Sequence, residues 1–202
     1  MTEAGIGRIL VASLHQGISD LLPARLEFYE NWLNPEGLRH GTIGLAPLHA
    51  VLSFLRKEGG PYGLIARRAG ECAAEWTVAS QWPSTRAATR ALPLALRARA
   101  VLALGRRLLQ RTYVGTRAVV RLRKGRGTVD VRGSLFCSVR DAAAEPLCGF
   151  YAAAIARLLE LYRVPGAVRV GRCRAVGDRS CVLDVTLDLR RPSSVPSPAA
   201  TE

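Results

Sequence analysis

Five cysteines, Cys72, Cys137, Cys148, Cys173 and Cys181, carry the most chemical information in the chain, and four of them fall in its last third. An odd number of cysteines in 202 residues is a poor match to a secreted disulfide framework, so the thiols are read as reduced. Cys148 follows Pro146 and Leu147 where a helix is expected to start, and the positive end of the helix dipole favours a thiolate there. Cys173 and Cys181 stand eight apart on the expected arms of a hairpin, which lets their side chains approach from neighbouring strands. Three thiolates near one helix end are most of a zinc site. Cys137 on the preceding strand, a nearby Asp or Glu, or water would supply the fourth ligand. The alternative reading is that these cysteines are small buried hydrophobes.

Other reactive groups are sparse. The sequence contains no GxxxxGK[ST] loop and no strand followed by GxGxxG, so no nucleotide cofactor is expected. His15, His40 and His49 are the only histidines, and none is spaced with a Ser, Cys or Asp as a triad would need. No pair of carboxylates stands out as general acid and base. A binding role is therefore favoured over catalysis.

The elements that must position the cysteines follow from apolar periodicity. Ile9, Leu10, Leu14, Ile18, Leu21 and Leu22 recur at three- and four-residue steps, which predicts a helix over Ile6 to Leu22 closed by Pro23. Further helices are expected over Ala24 to Leu33, Pro47 to Lys57, Tyr62 to Ala79 and Leu94 to Gln110, with Asn34 to Gly41 as a loop. The period then changes to two. Thr116 to Arg123 and Thr128 to Val139 read as a hairpin around Lys124-Gly125-Arg126-Gly127. A helix from Leu147 to Tyr162 precedes a second hairpin, Ala167 to Ala175 with Cys181 to Leu189. This order gives an α+β fold, an antiparallel sheet of two hairpins packed on helices. One domain is expected over residues 1–189, with a mostly helical half to residue 111 and a hairpin-helix-hairpin half over 112–189. The Pro- and Ser-rich tail, 190–202, has too little apolar content to fold.

The net charge of +13 is concentrated between Arg86 and Arg126, where twelve basic residues stand without an acid. On the Leu94 to Gln110 helix Arg99, Arg106, Arg107 and Arg111 fall opposite the leucines. Such a face is read first as solvated, then as a surface for an anionic membrane or a partner protein, and last as one for nucleic acid. Tyr113 is the only aromatic between Trp82 and Phe136, and nucleic-acid modules usually interleave stacking residues with their charges. No apolar run is long enough to span a bilayer, and no secretory leader is evident in the first thirty residues, so a cytoplasmic location is expected.

From Pro146-Leu147-Cys148-Gly149-Phe150-Tyr151 to Cys173-Arg174-Ala175-Val176-Gly177-Asp178-Arg179-Ser180-Cys181, the sequence resembles the 4-vinyl reductase domain family, over about Leu135 to Leu189. That family is related in fold to transport protein particle (TRAPP) subunits. The resemblance implies a homodimer enclosing an apolar cavity for an aromatic, tetrapyrrole or lipid-like ligand, with Cys148, Cys173 and Cys181 holding zinc. Where the family's sensor branch has a glutamate ligand, three residues before the second cysteine of the motif, this chain has Val170. Either Cys137 substitutes or the site is degenerate. The expected function is a non-catalytic small-molecule sensor. The resemblance also leaves room for an accessory protein or reductase of bacteriochlorophyll biosynthesis. Phe28, Trp32, Leu52, Phe54, Trp76 and Phe150 are the candidate pocket residues.

Overall fold

A computed structural model describes residues 5–33, 44–138 and 142–189. The expected loop over Asn34 to Gly41 and the tail from Arg190 lie outside the described residues. Helix α1 (Arg8–Leu21) buries Leu10, Leu14 and Ile18 of the expected stripe together with Val11, while Ile9 is half-buried and Leu21, at the helix end, is exposed. It starts later than expected because Ile6 forms a bridge to Tyr113, with the Gly7 amide donating to the Thr112 carbonyl at 2.9 Å. Pro23 opens a short 3-10 turn (Pro23–Arg25) before α2 (Leu26–Leu33).

Helix α3 (Leu45–Lys57) puts Leu48, Val51, Leu52 and Leu55 inside. Helix α4 (Gly60–Ala79) is the axis of the helical layer, and it starts two residues before the expected Tyr62, with Pro61 in its first turn. Its buried face is built of small residues, including Ala66, Ala69, Gly70, Ala73 and Ala74. Backbones therefore approach closely. A Cβ added at Gly70 would collide with the Phe150 carbonyl oxygen, and one at Gly17 of α1 would come within 2.9 Å of the Ile65 carbonyl. Two ion pairs clamp the same layers: the exposed Arg68 of α4 to Asp20 of α1 at 2.7 Å, and the half-buried Arg157 to Glu75 of α4 at 2.8 Å.

Between Pro83 and Pro93 the structure adds a short helix, α5 (Pro83–Ala91), with no buried residue. Helix α6 (Leu94–Thr112) then buries Ala98, Val101, Leu102, Leu108 and Leu109. Strands β1 (Arg117–Arg123) and β2 (Arg126–Arg132) meet at a two-residue turn. Lys124 and Gly125, with φ of 49° and 78°, form it, rather than the four residues the sequence suggests. Positive φ at both positions matches the right-handed twist of the strands.

Strand β2 is also shorter than expected. Gly133 (φ 67°) turns the chain out of the sheet, and residues 135–137 form a 3-10 turn (Leu135–Cys137). Cys137 is thus on a turn and not on a strand. Helix α7 (Gly149–Leu161) follows, then β3 (Gly166–Arg172) and β4 (Cys181–Leu187).

The four strands are antiparallel in the order β1-β2-β4-β3. Ala118, Val129, Val131, Leu183 and Val185 face the helices, and Arg117, Arg121, Arg123 and Asp184 face out, so helices cover one side. The α+β class is as the sequence predicts. One hydrophobic cluster joins helices to sheet, running from Leu10 of α1 to Leu187 of β4. Among the described residues, no helix is long and apolar enough to cross a membrane.

Candidate metal centre

Each of four cysteines is delivered by a different local device. Cys137 ends the 3-10 turn after β2, and Cys148 is the N-cap of α7. Cys173 lies just beyond β3 as the N-cap of a third 3-10 turn (Arg174–Val176), and Cys181 opens β4, where it pairs with Val131 of β2. The segment between the last two explains its own sequence. Gly177 takes φ of 98°, a left-handed conformation that glycine accepts without strain. Asp178 then turns back to accept the Cys173 amide at 2.8 Å.

The four sulfurs converge. Cys137 Sγ lies 3.1 Å from Cys148, 3.3 Å from Cys173 and 3.5 Å from Cys181, and Cys148 lies 3.5 Å from Cys173. All four ligand atoms fall within 4.8 Å of one another, and all four residues are buried. These separations exceed the ~2.05 Å of a disulfide by more than 1 Å, and the thiols are free. A tetrahedral zinc with Zn–S bonds of about 2.3 Å places its sulfurs about 3.8 Å apart. The cluster matches that scale, so the donor set fits a soft divalent metal.

Electrostatics within the cluster are polarised. Hydrogen bonds from Cys137, Cys148 and Cys181 hold the Cys173 thiol well below the usual thiol range. Those with Cys137, Cys173 and Cys181, together with burial, push Cys148 up. The Arg174 amide points at Cys181 Sγ from 3.5 Å, the type of outer hydrogen bond that supports a thiolate. Four thiolates cannot share this volume without a cation, so the cluster keeps protons until a metal displaces them.

Cys72, the fifth cysteine, is buried on α4 outside this group, and burial raises its thiol. Val170, at the family's glutamate position, lies in β3 paired with Leu183 and packs against the core. Cys137 Sγ, contributed from outside the motif, is the fourth sulfur of the group.

The six candidate pocket residues are dispersed. Phe28, Trp32 and Phe54 pack on one another with ring centroids 5.3 to 5.6 Å apart, and Phe28 and Trp32 are about two-fifths exposed. Leu52 is core, Phe150 stacks on Phe136 at 5.0 Å in the interior, and Trp76 is partly exposed on α4. The four arginines Arg99, Arg106, Arg107 and Arg111 are all exposed on the outer face of α6.

A concave feature lies elsewhere. A groove of about 960 Å³ runs between α3, the first turn of α4 and residues 143–147. Its lining includes His49, Ser53 and Arg56, and it also includes Ser138 and Leu147, the chain neighbours of Cys137 and Cys148. Sequence reasoning missed it, although His49, Ser53 and Arg56 at i, i+4 and i+7 form a polar stripe on an otherwise apolar helix.

No family model matches the chain, and no curated protein matches it. Several solved structures resemble it. The phenol-responsive sensory domain of the transcription activator PoxR with phenol aligns at a TM-score of 0.48 and 17% identity, over 71% of this chain and 74% of that one. An H-NOX protein from S. oneidensis in the Fe(II)NO ligation state aligns at 0.54 and 8% identity, over 91% and 99%. At that identity the second likeness shows the fold alone, and this chain shares the mixed α+β architecture of the H-NOX protein.

Proposed function

We propose that the protein is a non-catalytic module that binds a small molecule, and that Cys137, Cys148, Cys173 and Cys181 hold a structural zinc. The observation that carries this reading is the convergence of four buried thiols from four separate segments, all within 4.8 Å. Four protein sulfurs complete a tetrahedral zinc shell and leave no open position for substrate or water, which is the arrangement of structural sites. When bound, the metal would supply folding free energy by tying α7 to the end of β2 and to the β3–β4 connection.

The resemblance of the Cys148 and Cys173-to-Cys181 segments to the 4-vinyl reductase domain supports the same reading, with homodimerisation as its expected assembly. The groove beside the cluster supplies room for a ligand. Native mass spectrometry under reducing conditions, compared with the denatured mass, tests the proposal. It predicts a dimer with one zinc per chain and added small-molecule mass. A metal-free monomer of bare mass overturns it.

A further inference from the structure

We infer that the groove between α3 and α4 binds an organic anion, a carboxylate or phosphate carried on an apolar body. The inference rests on the binding-module reading and names its ligand class. Three features of the groove point to it. Among the described residues His49 Nε2 and Arg56 Nη1 are buried polar atoms without a hydrogen-bond partner, although both residues line the groove. A buried donor left unsatisfied is unfavourable, more so when charged; an anion beside Arg56 Nη1 supplies the missing acceptor, and it does the same for His49 in the form that carries its proton on Nε2. Ser53 stands between them on the same helical face, and Lys57 lines the same wall.

The glycines give the second feature. Gly60 and Gly63 line the groove from the first turn of α4, and a Cβ at either position meets no atom within 4 Å. Glycine costs a helix about 1 kcal/mol against alanine, and no close packing in the fold requires it at these positions. The bare backbone leaves space at the positive end of a long helix, where negative charge is stabilised.

The opposite wall supplies the third. Ala143, Pro146 and Leu147 are apolar, and the buried Tyr62 hydroxyl reaches toward the Leu147 carbonyl at 3.5 Å. Among the described residues of the lining, Glu145 is the acidic one and is exposed, and it stands against Arg56 and Lys57 on the other wall. Cationic donors facing an apolar wall select an amphiphilic anion over a neutral molecule or a bare inorganic ion. The cluster cysteines Cys137 and Cys148 directly adjoin Ser138 and Leu147 of the lining, so the metal would hold this wall in place.

Isothermal titration of the zinc-replete full chain with octanoate, octyl phosphate and 1-octanol tests the inference. At least one anion is expected to bind about tenfold or more tighter than octanol, and comparison of the two anions distinguishes carboxylate from phosphate. Arg56→Gln is expected to weaken that binding about tenfold, and Gly63→Leu to abolish it, both with zinc content and melting temperature retained. If Gly63→Leu proves unfolded, Gly63→Ser serves as the milder filling variant. If neither anion binds up to about 10 mM the inference is overturned, as it is by binding that both variants leave unchanged. Either result leaves a zinc-bearing dimer with co-purified mass intact, so the groove can fail while the module reading stands.

Discussion

The packed face of helix α7 and its N-cap are secured by different physics. In its first two turns, the Phe150 carbonyl and Ala154 pack against Gly70 of α4 so closely that a single methyl would not fit, and Phe150 and Tyr151 fill the core. At its N-cap, Cys148 approaches Cys137 and Cys173 through sulfur, at 3.1 and 3.5 Å. Packing spreads its stabilisation over many weak contacts, so single changes cost a few kcal/mol. A metal cluster concentrates stabilisation in four atoms, and losing one removes most of it. The helical layer should therefore tolerate graded damage, and the cysteine-bearing end should fail as a unit.

The largest expected effect comes from the cluster. A Cys148→Ser, Cys173→Ser double variant should lose bound zinc and melt more than about 10 °C lower, whereas Cys72→Ser should keep full metal content. Metal analysis with thermal unfolding checks both halves. Gly70→Leu attacks the packed face and should cost about 3 kcal/mol or more in urea unfolding while zinc remains one per chain. Loss of zinc in that variant would show that the packed face and the N-cap are not separable.

Gly63→Ala lies on the same helix as Gly70 with the opposite environment. It should stabilise by up to about 1 kcal/mol, because the added methyl meets nothing and glycine's backbone entropy is removed. The smallest effect is expected at Asp20. Arg68 and then Gln16 hydrogen-bond its carboxylate and hold its pKa below 3.8, so its contribution is present above that pH and lost as pH falls through the lowered value. The pair is exposed, and Asp20→Ala should cost about 0.2–1 kcal/mol at pH 7 and progressively less as the pH falls below the ordinary carboxylate range.

Much of this arrangement is legible in the sequence where the cause is local. Gly177 and Asp178 announce the turn between Cys173 and Cys181 because the left-handed φ and the amide-accepting carboxylate are properties of those two residues. The apolar stripe of α1 and the alternation of β1 are equally local. The position of Cys137 is not, because Gly133 ends β2 early and the path of residues 134–137 depends on contact with the rest of the fold. The groove was hidden for a related reason. Aromatic residue type marks Phe28, Trp32 and Phe54 as pocket candidates, yet they pack on one another. The walls are instead a polar stripe on α3, two glycines of α4 and a segment eighty residues further on. Periodicity shows each wall separately and cannot show that they face each other.

X-ray absorption at the zinc edge of the protein as purified, under reducing conditions, tests the central claim most directly. The account predicts a shell of four sulfurs at about 2.3 Å and no nitrogen or oxygen ligand. A mixed shell with two or fewer sulfurs, or no zinc above background, would contradict it.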